Sequence, residues 1–349
     1  MPAPYSGKQT LLHCHLDGSF PMFSILPQLF RLTHGDTKAY PFNAWQNHQA
    51  QVKAWFGNPL KGNIVEKFSL TTGVMQDRDT LFLAAQNYIR IRARQGYRYC
   101  ETIIAPQYHT FRGLTPRDVV GELIKGIQAG EKEFPQIEVN LILGIGRETN
   151  SDEAVKLVNI FAECDSDYTP AITLVCDEAN HPPEKHIAMY RRIKEVGRKK
   201  ACHVSEWVHD PSTQSADFAK DLRRLKKNAR TAIFDLEIDR AEHLRHLAYD
   251  PFLISTVVDR GIGVTMCPCS YLSTGLLPDN NMSHLRLDEL LDANVLVSIE
   301  PDDDLFMDNM DEVFDKCDIA FKLTQEQRSK IITNAEKMKF GNRKRSGPF

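Results

Sequence analysis

The chain has 349 residues, 42% hydrophobic, 26% charged and 9% aromatic, which fits an ordinary globular protein of one large or two medium domains. Its net charge of -3, from 43 Lys+Arg against 46 Asp+Glu, leaves no basic excess to neutralise a nucleic-acid backbone, so no nucleic-acid partner is expected. No run approaches the roughly 18 apolar residues of a membrane span, the opening MPAPYSGKQTLLHCH lacks a secretory pattern, and eight Cys are too sparse for a disulfide scaffold. The expectation is a cytoplasmic protein with no membrane partner, its thiols reduced and mostly buried.

In chain order, the first strand is predicted over Gln9 to His13. The stretch 19–77 then contributes extra helices over one face of the domain. A helix from Asp79 to Gln95 has Leu81, Ala84, Ala85, Tyr88 and Ile89 as its inner stripe and Gly96 as its stop. A strand over Tyr99 to Ile104 leads to a helix over 115–133. Thr115 caps that helix, Pro116 takes its first position, and Val119, Val120, Leu123, Ile124 and Ile127 share one face. Further strands are predicted over Val139 to Leu143, Ala171 to Cys176, Ala201 to Val204, Ile238 to His243, Gly263 to Cys267 and Val295 to Ile299. Thr324 and Gln327 read as a capping box for the last helix, and 339–349 as a flexible basic tail.

Near-continuous apolar strands alternating with helical returns imply parallel pairing with both faces covered. Eight such units point to a single α/β domain over 1–349, a (β/α)8 TIM barrel, with an open doubly wound sheet as the alternative. Catalytic groups of such barrels sit at the C-terminal ends of strands. His13 and His15 stand two apart there, His203 and His243 end the fifth and sixth strands, and Asp302 and Asp303 follow the eighth. Imidazoles and one carboxylate converging at one mouth fit Zn²⁺.

Five segments carry a family resemblance: LLHCHLDGS at 11–19, HVSE at 203–206, RAEH at 240–243, CPCSYLSTG at 267–275 and EPDDD at 300–304. In order and spacing they resemble the successive motifs of the adenosine deaminase family, and intervening stretches such as RYCETIIAPQYHTFRGLTP extend the likeness over most of the chain. The resemblance implies one Zn²⁺ per chain on His13, His15, His203 and Asp302, which lowers the pKa of a bound water to about 7. It further implies that Glu206 protonates purine N1, that His243 orients and deprotonates the water, and that Asp303 hydrogen-bonds N7. Phe68 resembles the family's apolar gate over the base, ordinary helix packing being its alternative. Asp17, in HLDG, resembles the carboxylate that accepts the ribose 5′-hydroxyl, where adenine deaminases typically read HLEG. The fourth strand ends without a Lys that could bridge two metals, which favours a mononuclear site. Adenosine or 2′-deoxyadenosine is therefore the expected substrate, in purine metabolism, with adenine or a modified purine as the alternative.

The pattern is broken in several places. The family's H-A-G-E and G-H-G read here His203-Val204-Ser205-Glu206 and Glu242-His243-Leu244, and the Gly whose N–H meets purine N3 is Cys176. A Cβ at such positions is expected to forbid a positive φ or a close approach of backbone to ligand. The usual N-T-D-D-P reads Glu300-Pro301-Asp302-Asp303-Asp304, and the added carboxylates are expected to raise nearby carboxyl pKa values. Three readings stay open: a deaminase with an altered pocket wall, a non-catalytic metal- or ligand-binding relative, and a different hydrolytic chemistry on a related barrel.

Overall fold

In the computed structural model, which describes residues 10–34, 64–208, 218–341 and 343, eight parallel strands follow one another in chain order. They are β1 (Thr10–Leu11), β2 (Tyr99–Ile104), β3 (Glu138–Gly146), β4 (Ala171–Val175), β5 (Lys199–Val204), β6 (Arg240–His243), β7 (Gly263–Met266) and β8 (Val297–Ile299). The seam between first and last strand is closed just beyond them. Cys14 bridges Asp302, the His15 N–H donates to the Asp302 carbonyl at 3.1 Å, and the Asp302 N–H donates to the His13 carbonyl at 3.2 Å. The fold is the expected (β/α)8 barrel, and three of the predicted metal-binding residues lie on the seam that closes it.

The helices start where their sequences supply caps. Thr115 and Asp118 form a reciprocal capping box for Pro116–Glu133, as do Asp77 and Thr80 for Arg78–Arg94 and Thr324 and Gln327 for Gln325–Lys337. Gly96, just past the second of these, has φ 93°, a conformation a Cβ would strain. The stripes read from the sequence, Val119 to Ile127 and Leu81 to Ile89, are buried against the sheet and against each other. In the 19–77 segment, helices cover Phe20–His34 and Ile64–Gly73, while 35–63 lie outside the described residues.

Strand bounds differ most from expectation in β1 and β3; β5 begins two residues earlier, β6 and β8 begin two later, and β4 and β7 end one residue earlier than predicted. β1 is shorter, because the chain leaves the β2 ladder after Leu11 and rejoins β2 through a bridge from His15 to Ile103. β3 runs on to Gly146, because Gly144 and Gly146 sit inside the strand. At Gly144 a Cβ would press on Val175 and on the Ile104 carbonyl, so this glycine permits close approach of strands and does not end one.

The flexible tail expected from residue 339 is corrected for its described part. The Phe340 N–H donates to Glu101 at 2.6 Å, the Gly341 N–H to the Tyr99 hydroxyl at 2.8 Å, and Arg343 binds Glu131 at 2.6 Å while stacking over Tyr168. Residues 339–341 and 343 thus close the floor of the barrel, opposite the strand ends that carry the histidines; residues 342 and 344–349 lie outside the described residues. All eight cysteines are free; six are buried, Cys164 is half-buried and Cys176 is exposed. No helix among the described residues is long and apolar enough to cross a membrane.

Candidate active site

The strand ends bring His13, His15, His203 and Asp302 together. One nitrogen from each of the three histidines lies within 4.8 Å of the others. The Asp302 carboxylate is 3.3 Å from His13 Nε2 and 3.5 Å from His15 Nε2. His13 is fully buried and its Nε2 has no hydrogen-bond partner, an arrangement that is costly unless something else fills that lone pair. The other faces of the rings are anchored: His13 Nδ1 meets Thr265 Oγ1 at 3.0 Å and His203 Nδ1 meets Glu242 at 2.7 Å. Their anchored Nδ1 atoms leave Nε2 of each ring as the donor toward the centre, and an N₃O set with a fixed outer shell fits Zn²⁺.

Burial keeps two of the three rings neutral, whereas at His13 it is outweighed by Asp302, Glu242 and Glu300, which raise the pKa. Burial, reinforced by the neighbouring His203, lowers His15 to about 4. Burial also lowers His203, against the opposing pull of Glu242. For Asp302, burial alone would raise the pKa, but His13, His243 and His15 outweigh it and hold the carboxyl well below its usual range. Asp302 has φ 63°, so this carboxylate sits on strained backbone that the seam hydrogen bonds hold in place.

Glu206 and His243 lie beside this cluster. One ligand atom from each lies within 4.8 Å of Asp302, and Glu206 is 3.4 Å from His243 Nε2. Burial, then the charges of Asp302 and Glu178, push Glu206 well above the carboxylate range, while burial pushes His243 well below its usual value. Both shifts favour the uncharged form of each partner in this contact. Asp303, fully enclosed with Oδ1 unpartnered, is also pushed up by burial and then by Asp302, Asp17, Glu206 and, most weakly, Asp304.

Of the two added carboxylates, Asp304 raises Asp303 as expected, but as the weakest of its causes. It faces away from the cluster and forms a buried ion pair with Arg92 at 2.7 Å, so most of its charge is compensated locally. Glu300 accepts from the Leu12 N–H at 3.0 Å and the Ser298 hydroxyl at 2.7 Å, and burial raises it to about 7.

The glycine replacements do not have the expected effect either. Ser205, Leu244 and Cys176 keep positive φ, at 58°, 52° and 73°. The Ser205 hydroxyl turns away to donate to the Leu225 carbonyl at 2.7 Å, and Leu244 buries its side chain in the core. The left-handed backbone survives because neighbours hold it: Glu178 accepts from the N–H groups of Ser205 and Glu206 at 2.9 and 3.0 Å, and Arg245 donates to the Glu206 carbonyl at 2.6 Å. The strain is about 1–2 kcal/mol per residue.

Around the mouth, Phe68 packs edge-on to Phe306 at 4.9 Å and lies 5.9 Å from His15. Gly18 runs beneath it, where a Cβ would collide with Asp303 and the Phe68 ring. Asp17 is buried, 3.4 Å from His109 Nε2, and His109 Nδ1 meets the Met75 carbonyl at 3.0 Å. Cys176 lies 3.4 Å from the Tyr108 hydroxyl. Sequence reasoning missed the supporting roles of His109, Glu178 and Glu242. A signal existed for Glu242, since Arg240 and Glu242 stand two apart in a predicted strand and so project to one side.

A family model described as adenosine deaminase matches residues 8–347. Among curated relatives, an uncharacterized deaminase of Schizosaccharomyces pombe is 26% identical, covering 93% of this chain and 88% of its own. An adenosine deaminase of Clostridium perfringens is 24% identical, covering 94% and 92%. Among solved structures, adenine deaminase from Arthrobacter aurescens aligns with TM-score 0.77 at 19% identity, covering 97% and 95%. An amidohydrolase from Burkholderia ambifaria with bound Zn aligns with TM-score 0.76 at 21% identity, covering 96% and 86%.

Proposed function

Because the chain belongs to the adenosine deaminase family of metal-dependent hydrolytic deaminases, which act on C–N bonds of cyclic amidines, we propose that it deaminates a 6-aminopurine nucleoside, adenosine or 2′-deoxyadenosine, with one Zn²⁺ per chain. The observation that carries this reading is Glu206, made an acid by burial and set against the His/Asp cluster. His13, His15, His203 and Asp302 would hold the metal. When bound, Zn²⁺ supplies a cation that acidifies water to a pKa of about 7.

The residues divide the remaining work. Glu206 donates a proton to ring N1, which makes C6 electrophilic, while neutral His243 orients the attacking water and accepts its proton. Water adds at C6, His243 passes the proton it took to the 6-amino group, the added hydroxyl gives its proton back to Glu206, and the C6–N bond breaks, releasing ammonia and leaving the 6-oxopurine. Protonated Asp303 donates to N7, and the Cys176 N–H faces N3. Asp17, beside His109, accepts the ribose 5′-hydroxyl; its charge repels a 5′-phosphate. Phe68, on the helix Ile64–Gly73, covers the base as part of the 19–77 segment over the mouth. The unpaired cysteines support a cytoplasmic setting, and the reaction a place in purine metabolism.

The reading as a non-catalytic binder drew its support from the lost glycines, and the retained positive φ at Ser205 and Leu244 weakens it. The test is ammonia release by the zinc-loaded protein from a panel of purine bases, nucleosides and nucleotides. Fastest release from adenosine or deoxyadenosine is expected. Release from adenine alone would move the assignment to the free base, and none across the panel would overturn it.

A further inference from the structure

His203 and Glu242 are register partners in the β5–β6 ladder, so their side chains project side by side into the barrel. Glu242 stands where the family motif has glycine, and it is fully buried. Its Oε2 lies 2.7 Å from His203 Nδ1, and the Thr173 hydroxyl donates to the same oxygen. Its other oxygen is 3.4 Å from Arg240, which in turn binds Glu101 at 2.5 Å. Arg240 also stacks over Phe340, 4.1 Å from the ring centre, and Glu101 accepts from the Phe340 N–H.

We propose that Glu242 is a positioning residue for the metal site, fixing the tautomer and ring plane of His203 through the Nδ1–H···Oε2 hydrogen bond, with Arg240 as its counter-ion. The argument is geometric. A ring that donates Nδ1–H to a carboxylate must present its Nε2 lone pair, and His203 Nε2 is the atom that faces His15 Nε2. A carboxylate partner also strengthens the ring as a ligand, whereas a glycine at this position offers no such bond. A carboxylate at the centre of a barrel would be costly if unpaired, and Arg240, which it shares with Glu101, gives it a cationic neighbour from beneath. The docked C-terminal segment completes the Arg240–Glu101 pair from below. The barrel floor thereby supports a ligand at its mouth.

The inference rests on the zinc reading above, and its test separates the two. Zinc affinity would be measured by chelator competition for the wild-type chain, Glu242→Gln and Glu242→Leu, with thermal unfolding as a check on the fold. The His203 tautomer would be read from imidazole ¹⁵N shifts of the metal-free proteins. Affinity should fall about 10- to 100-fold in Glu242→Leu and less in Glu242→Gln, whose amide oxygen still accepts. His203 should be Nδ1-protonated in the wild type and lose that preference in Glu242→Leu. If Glu242→Leu does not fold, Glu242→Gln together with Thr173→Val carries the test, each expected to weaken zinc several-fold. Affinities within twofold of wild type in folded variants would overturn the proposal. A wild-type chain that takes up no zinc would overturn the metal reading itself, whatever the tautomer.

Discussion

His15 and His203 face each other through their Nε2 atoms at 3.2 Å, with Asp302 3.5 Å from His15 and His13 edge-on to His203. Two imidazole lone pairs at that separation repel unless a proton or a cation lies between them, and burial, which lowers both rings, disfavours the proton. We therefore expect metal removal to destabilise the fold at its seam. Dialysis against a chelator should lower the melting temperature, and stoichiometric Zn²⁺ should restore it. At a free zinc concentration a thousandfold above Kd the stabilisation is about 4 kcal/mol. A melting curve indifferent to chelator would count against the site.

Glu206→Gln separates metal binding from chemistry. The residue is not among the expected ligands, so zinc content should stay at wild-type level. Turnover should fall by about 10²- to 10⁴-fold, because an amide cannot deliver the N1 proton. The pH dependence follows from the direction of its shift. Burial, Asp302 and Glu178 raise the pKa, so the acid form persists at neutral pH and is lost as pH rises through the raised value. The wild-type kcat/KM profile should show that alkaline limb, and the variant's residual rate should lack it. Near-wild-type turnover in Glu206→Gln would remove the residue from the role of acid.

Asp17→Ala should discriminate between substrates. A hydrogen bond to a charged partner contributes about 1.5–3 kcal/mol, so kcat/KM for nucleosides should drop roughly tenfold to a hundredfold, while adenine, which has no ribose, should change little. His109→Gln, which removes the imidazole beside the carboxylate, should give a smaller loss with the same selectivity. Equal losses for nucleoside and base would end the ribose assignment.

Much of this architecture is legible in the sequence, because parallel barrel strands are apolar on both faces and their ends carry the unusual residues. The β2 strand and the helix over 115–133 match their predicted spans closely for that reason. What the sequence hides is partnership across distant segments. Arg92 and Asp304, or Arg240 and Glu101, are each unremarkable alone, and burial of either charge makes sense with its partner in view. The packing of residues 339–341 and 343 is hidden for a related reason. The segment's basic composition suits a solvated terminus, but Phe340 and Arg343 find an arginine, a tyrosine and two glutamates already waiting on the barrel floor. The positive φ of Ser205 was equally hidden, since only the Glu178 clamp explains why a serine tolerates it.

Cys176→Gly tests how much strain the altered pocket wall stores. The residue holds φ 73° with an exposed side chain, so removing its Cβ relieves backbone strain while giving up little packing, the 3.4 Å contact to Tyr108 being the main loss. Relief of about 1–2 kcal/mol opposes the greater chain entropy of glycine, about 0.5–1 kcal/mol, leaving a net gain of about 1 kcal/mol or less. The urea midpoint should rise slightly and catalysis should be kept. A fall in the midpoint would mean that the Tyr108 contact outweighs the strain.

His246 provides a stability test away from the metal cluster. It is buried, neither ring nitrogen has a hydrogen-bond partner, and burial, reinforced by Arg245 and Lys226, lowers its pKa to about 3. In the unfolded chain the same ring titrates near 6.5. Below that pH the unfolded state binds a proton that the folded state refuses, so stability is full above about 6.5 and declines as pH falls toward 3. One such group gives a slope of about 1.4 kcal/mol per pH unit. His246→Leu removes this proton uptake and should flatten the decline. The stability difference between wild type and variant, from urea unfolding at matched zinc, should shift by about 2 kcal/mol in the variant's favour between pH 6.5 and 5. Parallel pH curves would show that His246 is protonated equally in both states and that its burial leaves acid stability unaffected.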